Sequence, residues 1–291
     1  MSLQVLKEIR TAVANLNPHE VQAAADRPVH IGLVASTADG FEAMEEFLLP
    51  SEKISYRKRA IAGTMLHRAG DPDLPEELDI VIVERGLPFP AHAFTFDPAQ
   101  PDETVREILA RREDLHLALA RNFYPFRQPV VDQVIHSVSR DNALFALVTA
   151  LPDVIPSIIE LPWSVTEFAS DTAFLTINQI RMAFLIAAAS DKPVGYSLQK
   201  AEIAGIVTGA FGFRALAREL AGKIPFGAGL IPKGAIAFAA TYVEGLGLDR
   251  LYRLGYGLSS EERHNSYQAA FERGKGLVET VMRGMKTGNA A

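Results

Sequence analysis

Apolar and polar residues alternate regularly in the first part of the chain, between Arg27 and Phe126. Short apolar runs predict strands, and segments with a repeat close to four residues predict helices. The predicted elements are strand 30–35, helix 41–48, a mixed segment at 56–65 as the place of a second strand, strand 78–83, strand 91–96, helix 102–112 with its cap at Asp102, and strand 115–120. Strands separated by helices predict a mostly parallel, doubly wound sheet.

From Val130 onward the pattern changes to long helical stretches interrupted by proline and glycine, and the last predicted helix covers 261–286. Most of these helices are apolar on several sides, which is typical of helices that are buried in a bundle or lie against a membrane. The sequence therefore predicts an α/β domain followed by an all-α, multi-helix domain. The predicted division is an N-terminal helical segment at 1–26, the α/β domain at 27–126 and the helical domain at 127–291.

Composition narrows the classes of function. The chain has 291 residues, a formal charge of −6 and no cysteine. The negative charge argues against a general nucleic-acid binder, and the lack of cysteine removes thiolate catalysis and cysteine metal sites. No charge-free apolar stretch reaches the roughly 18 residues of a membrane span, so we expect a cytoplasmic protein or one peripheral to the inner face of the membrane. One basic run, Lys53 with 57–59, is a solvated surface or a contact for lipid or a partner.

The segment 35–42 lies between a predicted strand and a predicted helix, the context of a phosphate-binding loop. That loop requires glycine, four residues, glycine, lysine and then serine or threonine. Ala35 replaces the first glycine and Gly40 keeps the second, whereas Phe41 replaces the lysine and Glu42 replaces the hydroxyl. Because the lysine pairs with phosphates and the hydroxyl holds magnesium, we expect the loop to have kept its architecture and lost its ligand.

The strand at 78–83 and the turn at 86–88 resemble the third strand of a small GTPase and the Asp-x-x-Gly motif that ends it. Val83 stands at the position of the magnesium-linked aspartate, and Gly86 is the residue of the motif that remains. The segment 121–124, after the last predicted strand, lacks the Asn-Lys-x-Asp motif that reads guanine. The resemblance implies a degenerate GTPase-like domain whose vestigial loop comprises Ala35, Gly40, Phe41, Glu42 and Gly86.

The helical half carries two sets of spaced residues. They are Asp171, Leu175, Gln179 and Met182, followed by 223–229 and then Gly234, Thr241 and Gly245. This spacing resembles the YcjF-like, GTPase-associated bacterial helical domain of unknown function, over about 140–250. The resemblance implies a link to a GTPase-like partner domain and to membranes.

Polar residues embedded in the apolar helices form a candidate polar pocket. Its predicted members are Asp171, Asn178, Gln179 and Glu202. Such residues can line a pocket or metal site between helices, or they can form ion pairs that fix helix register. The seven histidines show no metal-binding spacing, so we predict no metal, no cofactor and no catalytic residue.

Together these features predict a non-catalytic, pseudo-GTPase-like scaffold or interaction protein. We expect it to bind a protein partner or itself, with a membrane surface as a further contact and no nucleic acid. Two alternatives remain open. One is a nucleotide hydrolase with displaced motifs, and the other is a membrane-inserted helical protein in which 224–248 enters the bilayer as a hairpin.

Overall fold

The computed structural model describes residues 16–88, 90–150, 171–209 and 230–288, which fall into two compact units. The sheet unit comprises residues 19–131 and 188–193, and the remaining described residues form the helical unit. A small parallel sheet and many helices give the mixed architecture that the sequence predicts. The predicted segments 1–15, 151–170 and 210–229 lie outside the described residues.

The sheet contains four strands in the part of the chain that the structure describes. They are β1 (Ile31–Val34), β2 (Leu66–Arg68), β3 (Ile80–Glu84) and β4 (Phe94–Phe96). All pairs are parallel and the spatial order is β2-β1-β3-β4. In the central pair, Leu33 lies opposite Ile82, and Val34 lies opposite Val83.

Helices make up most of the rest. In the sheet unit they begin with α1 (Pro18–Asp26), α2 (Ala38–Leu48), α3 (Tyr56–Gly63), α4 (Pro101–Arg111), a 3₁₀ turn (Glu113–Leu115) and α5 (His116–Asn122). The chain then forms α6 (Tyr124–Val148), which begins in the sheet unit and continues in the helical unit. The helical unit also contains α7 (Asp171–Ala189) up to residue 187, a helical segment at 200–209, α8 (Leu230–Leu254) and α9 (Ser260–Gly288).

The core of the sheet unit forms because the strands are too apolar to leave either face in water. Strand residues pack against side chains from α2, α4, α5 and the start of α6. The fully buried members include Ile31, Leu33, Ile80, Ile82, Phe94, Phe96, Met44, Leu48, Ile108, Phe123 and Phe126. The runs at 30–35, 78–83 and 91–96 are therefore confirmed as strands, although each is shorter than predicted.

Two predicted strands are wrong. Residues 56–63 form α3, because Ser55 caps the helix by accepting a hydrogen bond from the Lys58 backbone N–H at 3.3 Å, and the strand follows at 66–68. The run 115–120 ends the 3₁₀ turn and begins α5. Its alternating pattern looks like a strand, yet Leu115, Ala118 and Leu119 are all buried, and that three- and four-residue spacing belongs to a helix.

The predicted cap at Asp102 is also wrong. The fourth helix begins one residue earlier, at Pro101, with Gln100 at the cap position and no side-chain capping bond. Proline is well suited to the first helical position, because its missing N–H would have no partner there.

Long apolar helices form the interior of the helical unit. Within the described ranges, one stretch, Thr172–Ala189 of α7, has the length and apolar composition of a membrane span, and 78% of it is buried inside the protein. Of the proposed membrane hairpin, 224–229 lies outside the described residues. The rest belongs to α8, where Ala235, Phe238 and Val243 are buried.

Helix α8 approaches its neighbours closely at two glycines. A Cβ added at Gly245 would lie 2.8 and 2.9 Å from side-chain carbons of Ile135 and 3.2 Å from the sulfur of Met182. A Cβ added at Gly234 would lie 2.6 Å from Val278. At both glycines, side chains of neighbouring helices lie directly against the backbone of α8, so any side chain there would force helices apart.

We expect Gly245→Val to lower the free energy of unfolding by about 1–3 kcal/mol, because overpacking displaces Ile135 or the helix itself. Gly247→Val is the matched control, since a Cβ at Gly247 meets nothing within 4 Å. That variant should change stability by less than about 0.5 kcal/mol. Urea unfolding followed by circular dichroism measures both, and equal effects would contradict the assignment of close packing to Gly245.

Candidate functional site

The connection order of the sheet places a topological switch point between β1 and β3. From β1 the chain passes to β2 on one side and then to β3 on the other side. Doubly wound sheets bind ligands beyond the carboxyl ends of the strands at this kind of switch point. The loop after β1 and the last residue of β3, Glu84, meet at this position.

Glu84 places its carboxylate against the loop. The Oε2 atom accepts a hydrogen bond from the Ser36 backbone N–H at 2.8 Å and another from the Ser36 hydroxyl at 2.7 Å. These two donors hold the pKa of Glu84 below its usual range, because they stabilise the charged form. A negative group of the protein thus occupies the hydrogen-bond donors of Ser36 in the loop after β1.

The N-terminus of α2 lies beside the Glu84 carboxylate. Thr37 caps the helix and its hydroxyl accepts a hydrogen bond from the Gly40 backbone N–H at 3.1 Å. A Cβ added at Gly40 would lie 3.0 Å from the Ala35 Cβ and 3.1 Å from Glu84 Oε1. Position 40 is tight for any side chain, because the first turn of α2 lies directly against Ala35 and the Glu84 carboxylate.

Phe41, which the sequence analysis compares with the lysine of a phosphate-binding loop, contributes to the core. Its half-buried ring packs against the core of the sheet unit, and the Arg68 guanidinium lies 5.4 Å from the ring centroid. Arg68 itself donates a hydrogen bond from Nε to Glu45 Oε1 at 2.6 Å. Glu42, the next residue, is exposed. The aromatic ring at position 41 thus has a packing role.

Gly86 has a conformational role. It adopts φ +95° in the turn after β3, and a Cβ there would meet nothing within 4 Å. Val83 is buried in β3, so the acid at this edge of the sheet is the next residue, Glu84. Sequence analysis missed Glu84. The available signal was a single carboxylate that ends an otherwise apolar strand.

Two members of the candidate polar pocket, Asn178 and Gln179 of α7, belong to a buried network in the helical unit. The Asn178 side-chain amide donates to Asn142 Oδ1 at 2.9 Å, and the Asn142 amide donates to Thr241 Oγ1 at 2.7 Å. The Gln179 amide also donates to Thr241 Oγ1, at 3.3 Å. The network joins α6, α7 and α8. Because unmade hydrogen bonds are costly in a core, it fixes the register of the three helices.

The other two members lie elsewhere. Asp171 is the first residue of α7. Glu202 lies on the helical segment 200–209 and lines a cavity together with Glu244 of α8. No group of three or more His, Cys, Asp or Glu side chains is arranged to hold a metal ion in the described ranges.

Several residues that carry the YcjF-like resemblance meet in the helical core. Gln179 bonds to Thr241, and Met182 lies against Gly245. Their shared property is helix packing. No protein-family model, curated protein or solved structure matches this chain significantly. The GTPase-like and YcjF-like resemblances therefore stay predictions.

The contact between Glu84 and Ser36 predicts a specific pH dependence. The folded pKa of Glu84 is lower than the ordinary value of 4.5, so its stabilisation is complete above that pH and is lost as the pH falls through the folded pKa. Glu84→Gln keeps the shape but cannot titrate. Its urea midpoint should therefore fall less than that of the wild type between about pH 6 and about pH 3. Glu42→Gln, at an exposed position beside the loop, serves as the control and should follow the wild type.

Proposed function

We propose that this chain is a non-catalytic, cytoplasmic scaffold whose sheet unit keeps the form of a phosphate-binding loop and does not use nucleotide. The observation that carries the proposal is the Glu84 carboxylate, which is bonded to the Ser36 backbone N–H and hydroxyl at the switch point of the sheet. A phosphate entering the loop would have to displace this carboxylate and would meet its charge. Positions 41 and 42 hold phenylalanine and glutamate, so no lysine and no hydroxyl is present there to offset that cost.

The two alternatives receive less support. A hydrolase with displaced motifs needs another cation at the loop, and Arg68, which lies over Phe41, is already paired with Glu45. A membrane-inserted protein needs apolar helices that face lipid, and the candidate span in α7 is largely buried among other helices.

A scaffold needs an exposed contact surface, and α3 offers one. Tyr56 is 89% exposed and Ile61 is 53% exposed on this helix. The neighbouring Lys53 and Arg57 are exposed and form no ion pair among the described residues. Because aromatic and basic groups together favour protein interfaces, this α3 face supports the assignment of an interaction role.

We propose that a second copy of the chain covers the exposed surface of α3 and the residues before it, called the α3 face, which carries Tyr56 and Ile61 on different sides of the helix. The chain carries a net charge of −6, and its loop at 71–77 presents exposed acids together with Leu74, which is 42% exposed. The basic and apolar character of the α3 face is complementary to this loop. Contact between the two different surfaces would produce a head-to-tail assembly.

Calorimetric titration with GTP, GDP and ATP in the presence of magnesium tests the first part of the proposal. We expect no binding by the wild type with a Kd tighter than about 1 mM. Glu84→Ala frees the Ser36 N–H and should gain weak binding of inorganic sulfate. Glu42→Ala removes the same charge without vacating the loop and should not gain it. Micromolar nucleotide binding by the wild type would overturn the proposal in favour of a hydrolase.

Light scattering coupled to size-exclusion chromatography tests the second part. The wild type should associate with rising concentration and dissociate with rising salt, because part of the contact is electrostatic. The double variant Tyr56→Ser, Ile61→Ser should remain monomeric, whereas Leu254→Ser, at another exposed apolar position, should behave like the wild type. A wild type that stays monomeric contradicts self-association. Salt-sensitive binding to anionic vesicles would assign the α3 face to lipid instead.

A further inference from the structure

The helical unit contains a cavity of about 280 Å³ that plays no part in the proposed scaffold role. Two helices, the segment 200–209 and α8, supply most of its lining. The lining residues are Ala201, Glu202 and Gly205 from the segment 200–209, Val243, Glu244, Gly247, Leu248 and Leu251 from α8, and Gly257 and Arg263 beyond it. The volume is well above the roughly 10–15 Å³ that one water molecule needs and is at the small end of ligand pockets.

Each of these two helices contributes a glutamate and, three residues later, a glycine to the lining. These pairs are Glu202 with Gly205, and Glu244 with Gly247. A Cβ added at either glycine would meet nothing within 4 Å. Gly245 of the same helix, by contrast, is packed tightly against Ile135. The glycines at the cavity therefore do not serve close helix contact, and their missing side chains leave room beside a carboxylate.

The Glu244 carboxylate is poorly compensated. It lies half-buried at the cavity and accepts no hydrogen bond from the described residues, and its closest electrostatic partner is the exposed Arg263. Arg263 donates from Nε to the Leu258 carbonyl at 3.3 Å. Burial raises the pKa of Glu244, and the charge of Arg263 opposes this shift. A carboxylate removed from water without donors is costly, so a cation with N–H groups would be favoured here.

We propose that this cavity binds a small organic ammonium ion. Its N–H groups would pair with Glu244 and Glu202, and its carbon chain would lie against Leu248 and Leu251. Two carboxylates against one arginine exclude an anionic ligand, and the described residues provide too few converging ligands for a metal ion. The leucines and Val243 favour an aliphatic chain over a fully hydrated cation.

Titration of the full chain with n-butylammonium chloride at about pH 8, well above the ordinary pKa of a glutamate, tests the site. We expect a Kd on the order of millimolar by calorimetry and a matching rise in Tm. Sodium butyrate and n-butanol carry the same chain with a negative charge or no charge, and sodium chloride matches the ionic strength. None of the three should bind or raise the Tm.

Two variants remove the proposed features separately. Glu244→Gln keeps the shape and removes the charge, and it should weaken binding at least roughly tenfold. Gly247→Leu keeps the charge and fills the space, and it should abolish binding. Glu261→Gln, an exposed acid in the first turn of α9, should bind like the wild type. Equal binding of n-butanol, unchanged affinity in both cavity variants, or no binding by the wild type would each overturn the proposal.

Discussion

Parallel pairing of β1 with β3 is the constraint on which the sheet unit depends. Because Ile31–Val34 pairs in register with Ile80–Val83, the two strands end at the same edge. The residue that follows β1 and the residue that ends β3 are thereby brought together. A shift of one residue in β3 would turn Glu84 to the opposite face and leave the Ser36 donors unpaired. The register that builds the core therefore also builds the contact at the loop.

The same contact explains why an internal carboxylate can take the place of a ligand. Glu84 is held beside Ser36 by the sheet, so it loses no translational freedom when it binds, whereas a free anion does. A working phosphate loop overcomes this disadvantage for its ligand with a lysine and a magnesium ion. Phe41 contributes to the core, and in the function that we propose the internal carboxylate has no strong competitor. Gly40 fits both purposes, since the small residue that would admit a phosphate also admits the carboxylate of Glu84.

The helical unit depends on small and polar residues for its register. Asn142, Asn178, Gln179 and Thr241 join three helices through buried hydrogen bonds. Gly245 allows the backbone of α8 to approach Ile135. Two residues further along, about 200° around the helix, Gly247 faces the cavity instead. Glycine in α8 therefore permits close helix packing on one side of the helix and leaves space for the cavity on the other.

By itself, the sequence determined the local features of this protein. Apolar runs located β1 and β3, and the pattern after β1 located the helix that follows it. The local pattern predicted strands at 56–63 and 115–120, where the structure has helices. The cap at Ser55 favours the first helix, and the burial of Leu115, Ala118 and Leu119 favours the second. Only the tertiary structure decided what fills the loop and what surrounds the polar residues. Glu84 is 48 positions from Ser36, and Asn142 is 36 positions from Asn178. Contacts at such separations depend on strand order and helix packing, which are properties of the whole chain and leave no periodic signal near either residue.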